Sequence, residues 1–211
     1  RLIEMGHILT GFDLSTAMIE FSKERLKGSG FEPRVFKMAM EEFSIPGQFD
    51  MAYCLVSTFK YLLNERDASS HLRHVATHLR SGGIYVLGLH LSDYSRPEQQ
   101  REHWEGSRGG IHVDCTIDSD PPDPASRLEK LESRLKIREK NKQTVINTRW
   151  KFRTYDAAQL KSLIDSVPDF SLEKCYDFCY DVNEPRELDS PWEDVILILK
   201  KNEEVENNSS S

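Results

Sequence analysis

An acidic residue at the end of a short apolar run is the first candidate for chemistry in this sequence. Residues Leu9 to Phe12 predict a buried strand, and Asp13 follows it directly. A carboxylate only accepts hydrogen bonds, so Asp13 could hold both hydroxyls of a ribose at the end of such a strand. The same carboxylate could instead cap the next helix, and the residue alone leaves the two roles equally open.

A second candidate is His90, near the end of the apolar segment Ile84 to Leu91. The imidazole group titrates near neutral pH, so a histidine at the carboxyl end of a strand could take a proton from a bound molecule. The alternative is a histidine that is hydrogen-bonded for structural reasons, and the sequence leaves both open.

Three further histidines, His71, His74 and His78, share one stripe of a predicted helix. Such a stripe could bind a transition metal. We favour partly buried polar side chains instead, because no cysteine or clear carboxylate completes a set of four ligands.

Two helices are expected to position the candidates in the first half of the chain. Ser15 can cap a helix that runs to about Lys27 and ends at Gly28 and Gly30; its broad apolar face holds Met18, Phe21 and Leu26. A second, amphipathic helix is stopped by Gly82-Gly83 and buries one face, made of Leu72, Val75, Ala76 and Leu79.

The strands between these helices predict the fold class. They are expected at 34–38, 51–56 and 84–91, and the last is apolar almost throughout, as in a strand covered on both faces. Alternation of strands and helices predicts an α/β fold with a mostly parallel central sheet and helices on both faces. Ligands of such sheets bind at the carboxyl ends of the strands.

The second half of the sequence predicts an antiparallel insertion and then a closing helix with two strands. Alternating segments at 135–137 and 146–152 flank a turn at 140–142, which predicts a hairpin. From Arg127 to Arg153, ten Lys and Arg residues stand against three Glu. We expect these charges on the solvated face of the hairpin, although a basic segment could also meet an acidic partner. Asp156 caps the closing helix, and the apolar run 195–199 predicts a strand in the middle of the sheet.

Composition limits the class of protein further. The 211 residues carry a net charge of −7, which argues against general nucleic-acid binding. No run approaches the roughly 18 apolar residues of a membrane span. Four cysteines without a CxxC pair favour a reduced, cytoplasmic protein. We expect one domain over 1–201, with an inserted lid at about 92–153 and a disordered tail at 202–211.

Three segments together resemble class I S-adenosylmethionine-dependent methyltransferases. They are GFDLSTAMIEFSKERL at 11–26, MAYCLVSTFKYLL at 51–63 after Phe49-Asp50, and HLRSGGIYVLGLHL at 78–91. They resemble, in family order, the ribose-binding segment, the fourth-strand motif with its loop, and the double glycine with the fifth strand.

The resemblance implies a Rossmann-like fold with an antiparallel last strand, S-adenosylmethionine as cofactor, and a role for each matching residue. It implies that Asp13 holds the ribose and that Leu14 and Met18 pack near the adenine, although both also fit a buried helix face. The segment of Leu55, Val56 and Ser57 would line the cofactor. Tyr61 and His90 would face the transferred methyl group.

Two departures from the family pattern stand out. The glycine-rich loop and the first strand of the family would precede Arg1, so we expect an N-terminally truncated domain. The family's adenine-binding acid falls at Ala39, followed by Met40 and Glu41. A backbone contact would have to substitute there, at a cost on the order of 1 kcal/mol for a lost hydrogen bond.

The predicted function is transfer of a methyl group from S-adenosylmethionine to a small-molecule acceptor. The insertion suits a substrate lid; it contains His112 and the basic hairpin, and its candidate contact residues are Trp104, Glu105 and Arg108. One alternative is a non-catalytic scaffold that binds a partner through the basic hairpin. Another is a nicotinamide-dependent dehydrogenase, which would share Asp13 but not an antiparallel pair of closing strands.

Overall fold

The computed structural model describes residues 2–27, 34–96, 98–189 and 193–203. In chain order its elements are β1 (Thr10–Asp13), α1 (Thr16–Leu26), β2 (Arg34–Lys37), β3 (Phe49–Cys54), a short 3-10 helix (Thr58–Tyr61), α2 (Glu65–His78), β4 (Leu79–His90), β5 (Gln100–Arg108), β6 (Ile111–Ser119), β7 (Leu128–Glu139), β8 (Lys142–Arg153), α3 (Ala157–Asp165), β9 (Phe170–Tyr176) and β10 (Asp194–Lys201).

The central sheet is mixed, so the prediction of a mostly parallel sheet needs correction. β1 pairs with β2 and β3 pairs with β4, both in parallel. β10 lies antiparallel between β4 and β9, in a four-stranded sheet of order β3-β4-β10-β9. A parallel strand needs a crossover connection, whereas the loop after β9 returns the chain at the same end of the sheet. Within the described residues the β1-β2 pair forms a separate sheet.

One face of the four-stranded sheet carries the core. Alternate residues of β4 and β10 are nearly inaccessible: Tyr85, Leu87, Leu89, Val195, Leu197 and Leu199. They pack with the apolar faces of α2 and α3, which contact each other. The interior position predicted for 195–199 is confirmed. The opposite face is less covered by the described residues, because Met51 and Tyr53 of β3 and Ile84 of β4 are exposed. Further along β4, Gly88 is buried against Leu55 and Phe178, so the predicted coverage of both faces holds only at the carboxyl end of this strand.

The two predicted helix caps are confirmed, whereas two other predictions about the helices need correction. Ser15 Oγ accepts a hydrogen bond from the Met18 amide, and Asp156 forms a reciprocal capping box with Gln159, so both predicted caps are confirmed. α1 buries only Ile19 among its residues, and the predicted apolar face is largely exposed. The predicted glycine stop at 28–30 lies outside the described residues.

The prediction that Gly82-Gly83 stops the second helix also needs correction. α2 already ends at His78, and the glycines lie within the turn that leads into the paired part of β4. Gly82 has a φ of +74°, and a Cβ on Gly83 would lie 2.8 Å from the Arg80 carbonyl oxygen. The pair therefore serves this tight turn rather than the helix end.

The insertion is a four-stranded antiparallel sheet of order β5-β6-β7-β8, which we call the inserted sheet. The predicted hairpin is confirmed as β7-β8, and β5 and β6 extend it. The sheet is tied to the core at its base, which comprises 128–129 and 152–153. There Lys60 meets Glu129 at 3.4 Å, and Glu65 pairs with Arg127 and Arg153.

All four cysteines are free thiols. Asn202 is hydrogen-bonded to the Asp169 and Pro168 carbonyls, so the chain keeps its contacts at the start of the predicted tail, and residues 204–211 lie outside the described part. None of the helices in the described ranges is long and apolar enough to span a membrane.

Candidate functional site

The carboxyl ends of β1 to β4 bring most of the predicted residues to two sets of strand ends. At the first, the amide of Met38 donates to the Asp13 carbonyl at 3.2 Å, which sets the loop after β2 beside Asp13. At the second, the Ser57 amide donates to the Gly88 carbonyl at 3.1 Å, and Ser57 Oγ accepts from the His90 amide at 3.1 Å. The parallel pairing of the strands produces both arrangements.

Asp13 orders the turn at the start of α1 through one of its two carboxylate oxygens. Its Oδ1 accepts a hydrogen bond from the Ser15 amide at 2.7 Å, at the start of α1. Its Oδ2 has no partner among the described residues, and the side chain is exposed. One carboxylate oxygen therefore orders the turn while the other stays free to accept. Leu14 and Met18 beside it are 62% and 49% exposed, so the alternative that they are ordinary core residues is wrong.

The loop after β2, which contains Ala39, Met40 and Glu41, is held by side chains of α2. His71 Nδ1 lies 2.8 Å from the Met40 carbonyl oxygen, and Ser70 Oγ donates to the Glu41 carbonyl at 2.7 Å. Burial lowers the pKa of His71 to about 4, so its ring is neutral at physiological pH.

The three histidines of the stripe on α2 pack around one aromatic ring. His78 Nε2 accepts from the Ile45 amide at 3.0 Å, and the rings of His71, His74 and His78 surround Phe43. No group of metal-ligating side chains is found within the described residues. His71 is buried, His74 and His78 are half-buried, and the ring nitrogens of His71 and His78 are engaged in hydrogen bonds.

The segment after β3 carries backbone strain that the sequence did not reveal. Val56 and Ser57 have φ of 54° and 62°, the left-handed region that β-branched residues rarely adopt. Each such residue costs of order 1–3 kcal/mol, and such costs cluster at functional sites. The turn leaves Val56 exposed and buries Ser57 against His90, while Leu55 is half-buried.

His90 has a partner that sequence reasoning missed. Asp194, the first residue of β10, lies opposite His90 in the antiparallel register, and its carboxylate pairs with Nδ1 of the ring. The ring also packs against Phe178 at 5.0 Å between centroids. Within the described residues Nε2 has no partner. An apolar strand starting with an acid was the available signal, but the facing residue depends on the register.

Tyr61 lies at the end of the 3-10 helix, half-exposed, with its ring edge-on to Phe152 at 4.8 Å. Partial burial raises the pKa of its phenol, which stays protonated at neutral pH. Tyr61 therefore sits where the strand ends meet the base of the inserted sheet.

The three predicted substrate residues all lie on β5 and are exposed. Trp104 and Glu105 face opposite sides of the inserted sheet, and Glu105 is 3.9 Å from His112. Arg108, at the turn between β5 and β6, lines a cavity of about 300 Å³ with Phe21 and Arg25 of α1. No hydrogen bond, ion pair or ring contact joins them to His90 or Tyr61 in the described ranges.

A larger cavity, of about 490 Å³, lies on the inserted sheet rather than at the strand ends. Charged side chains line much of it, among them Asp118, Glu132 and Arg149. Arg101 bonds to Asp118 and Arg149 to Glu132 across neighbouring strands, so these charges largely satisfy one another. This is the solvated charged face expected of the hairpin, and we assign no chemistry to it.

The first part of the chain is similar in sequence to methyltransferases. A family model described as a methyltransferase domain matches residues 1–83. "Putative methyltransferase YqeM" of Bacillus subtilis (strain 168) is 31% identical over 94 residues, which cover 44% of this chain and 37% of that protein. The chain thus spans little more than a third of the length of this curated relative.

Solved structures share the fold over most of the chain. An S-adenosylmethionine-dependent methyltransferase from Clostridium acetobutylicum ATCC 824 has a TM-score of 0.74 at 17% identity, over 91% of this chain and 74% of its own. The sugar N-methyltransferase KedS8 from Streptoalloteichus sp ATCC 53650 gives 0.71 at 16%, over 92% and 71%. CalS10, an amino pentose methyltransferase from Micromonospora echinaspora solved with its cofactor bound, gives 0.68 at 14%, over 92% and 73%.

At these identities the likeness establishes the fold. Together with the family match, it confirms the predicted resemblance to class I methyltransferases. It also weighs against the dehydrogenase alternative.

Proposed function

We propose that this chain, whose fold is that of class I S-adenosylmethionine-dependent methyltransferases, takes part in methyl transfer from S-adenosylmethionine to a small-molecule acceptor. The observation that carries the proposal is the arrangement at the strand ends. Asp13 keeps one carboxylate oxygen free at the end of β1, and His90 keeps one ring nitrogen free at the end of β4. These are the places where ligands of such sheets bind.

The residues at the end of β1 fit the adenosine part of the cofactor. Asp13 Oδ2 accepts from a ribose hydroxyl, and Leu14 and Met18 present exposed apolar surface beside it. Ala39 offers no side-chain acceptor, so backbone groups of Ala39, Met40 and Glu41 meet the adenine edge. Leu55, Val56 and Ser57 line the cofactor at the next strand end.

S-adenosylmethionine, when bound, supplies the electrophilic methyl group for an in-line displacement. The chain aligns the acceptor and excludes water. If the acceptor is protonated, His90 removes its proton through Nε2. Asp194 accepts from Nδ1–H and thereby keeps Nε2 as the basic nitrogen. Tyr61 lines the same end of the site.

The inserted sheet serves as the cover of the acceptor site. Its base meets the 3-10 helix through Lys60 and Tyr61, and its β5-β6 turn brings Arg108 to α1. It therefore extends from the segment after β3 to the helix after β1. Trp104, Glu105 and Arg108 are the candidate acceptor contacts. Since KedS8 and CalS10 are described as acting on a sugar nitrogen and an amino pentose, amines are the first acceptors to test.

Calorimetric titration of S-adenosylhomocysteine tests the proposal. We expect micromolar binding, and at least a tenfold loss of affinity in Asp13→Ala, because the ribose loses a charged acceptor worth more than about 1.4 kcal/mol. Asp50→Ala is the matched control, since Asp50 is an exposed acid that pairs with Arg80 at the start of β3.

The outcomes separate the alternatives. Binding that Asp13→Ala and Asp50→Ala leave equally intact would contradict the ribose contact. A folded chain that binds no S-adenosylhomocysteine would contradict the methyltransferase proposal and favour a scaffold that uses the basic hairpin, whose net charge of +7 over 127–153 is then the feature to test.

A further inference from the structure

The histidine of α2 that contacts the loop after β2 is almost completely buried and uses both ring nitrogens. His71 is 3% exposed; its Nδ1 lies 2.8 Å from the Met40 carbonyl oxygen and its Nε2 lies 2.7 Å from the Tyr85 hydroxyl. One side chain thus links α2, the loop after β2 and β4, which are distant in sequence.

The chemistry of the partners fixes the direction of both bonds. A carbonyl oxygen only accepts, so Nδ1 of His71 carries the hydrogen and donates it to Met40. Nε2 is then the acceptor, and the hydroxyl of Tyr85 donates to it. Burial raises the pKa of Tyr85 well above its ordinary range and that of the neighbouring Cys54 thiol to about 11, so every group remains neutral at physiological pH.

Other contacts tie the same loop to the same helix. Ser70 Oγ donates to the Glu41 carbonyl, and His78 accepts from the Ile45 amide. Phe43 stacks on Phe12 of β1 with ring centroids 4.7 Å apart. The backbone of 39–45 is therefore held in one position relative to β1, where Asp13 ends the strand.

We propose that His71 is a positioning residue for the adenine side of the cofactor site, acting through the Met40 carbonyl. The inference rests on the proposed function. Ala39 has no side chain that could meet the adenine edge, so recognition falls to the backbone of Ala39, Met40 and Glu41. Backbone groups contribute more affinity when their geometry is fixed before binding, since ordering them at the moment of binding costs free energy.

Three substitutions of His71 separate this role from general stability. The amide nitrogen of asparagine lies near the position of Nδ1, so His71→Asn keeps a donor for the Met40 carbonyl. The amide of glutamine reaches the position of Nε2, so His71→Gln keeps a partner for Tyr85 and releases Met40. His71→Phe removes both bonds but retains a ring in the core. His74→Asn is the matched control, because His74 lies on the same stripe and packs on the ring of Phe43, while its ring makes no hydrogen bond to the loop 39–45 within the described residues.

The measurement is the Kd of S-adenosylhomocysteine for each variant, beside its free energy of unfolding. We expect wild type, His71→Asn and His74→Asn to bind within about threefold of one another. We expect His71→Gln and His71→Phe to bind about tenfold or more weakly, the equivalent of one net hydrogen bond. If His71→Asn and His71→Gln both fold and bind S-adenosylhomocysteine with equal affinity, the inference is overturned. The bond to the Met40 carbonyl would then make no contribution to binding beyond its contribution to stability.

Amide hydrogen exchange distinguishes this failure from failure of the proposed function. We expect exchange across 38–45 to be faster in His71→Gln than in His71→Asn, with or without ligand. Unchanged exchange would contradict positioning by His71 even if the wild type binds. The wild type could instead bind no S-adenosylhomocysteine while amide exchange across 38–45 is faster in His71→Gln than in His71→Asn. That result would refute the cofactor site but would leave His71 as the residue that anchors the loop.

Discussion

The two regions that border the candidate site are held by different kinds of contact. The loop 39–45 is held by neutral, buried hydrogen bonds from His71, Ser70 and His78. The inserted sheet is held at its base by ion pairs, and away from the base most of its residues are exposed or half-buried. Neutral buried bonds fix one geometry and are insensitive to salt, whereas charge pairs lose strength as they become exposed.

In the function proposed above, this difference separates cofactor binding from acceptor chemistry. A fixed loop suits a constant ligand that is recognised through the backbone. A sheet that is anchored at one end and carries exposed side chains suits acceptors that vary. We therefore expect a substitution in one of these two regions to leave the properties of the other region unchanged.

The largest effect is expected on the acceptor side. His90→Gln and Asp194→Ala should lower kcat about a thousandfold with an amine acceptor, because general-base catalysis of this kind contributes between about 10² and 10⁴. The Kd of S-adenosylhomocysteine should not change. His103→Gln is the matched control, since His103 faces Asp114 at 3.4 Å in a comparable pair on the inserted sheet. Activity of His90→Gln within tenfold of wild type would refute the assigned base.

Low pH should destabilise the protein through His71, which anchors the loop 39–45. Burial lowers the pKa of His71 to about 4, against about 6.5 in an unfolded chain. Between these values the unfolded state binds a proton that the native state does not. The free energy of unfolding should therefore fall by about 3 kcal/mol as the pH drops from 6.5 to 4, with no contribution from this group above 6.5.

Urea unfolding of wild type and His71→Asn at several pH values isolates this contribution. His71→Asn starts from a lower stability at pH 7 but should lose less on acidification, because it lacks the titrating group. The titratable groups that interact with the ring are Tyr85, through its hydroxyl, and His74, and both variants retain them. Parallel pH profiles for the two proteins would show that His71 does not titrate as its burial requires.

A smaller effect is expected at the base of the inserted sheet. Glu129→Gln leaves the ammonium of Lys60 buried without its carboxylate and should cost about 2 kcal/mol of unfolding free energy. Burial already lowers the pKa of Lys60, so loss of its proton limits the cost. Arg149→Ala, which breaks an exposed pair with Glu132, should cost less than about 0.5 kcal/mol. If the two substitutions lower the unfolding free energy equally at pH 7, the buried pair of Lys60 and Glu129 contributes no more to stability than the exposed pair.

The sequence determined the features that depend on local patterns. Ser15 and Asp156 cap their helices because cap chemistry involves only the next three residues. Alternation predicted the β7-β8 hairpin, and the unbroken apolar run of β10 predicted an interior strand. Asp13 was placed at a strand end for the same reason.

Only the tertiary structure decided which of these residues meet. Asp194 faces His90, 104 positions away, because the register of β10 on β4 places them opposite each other. The exposure of Leu14 and Met18, and the contact of His71 with the Met40 carbonyl, likewise depend on packing between distant segments. Periodicity fixes the face on which a side chain lies, but the partner on that face is set by register and by the free energy of burying both groups together.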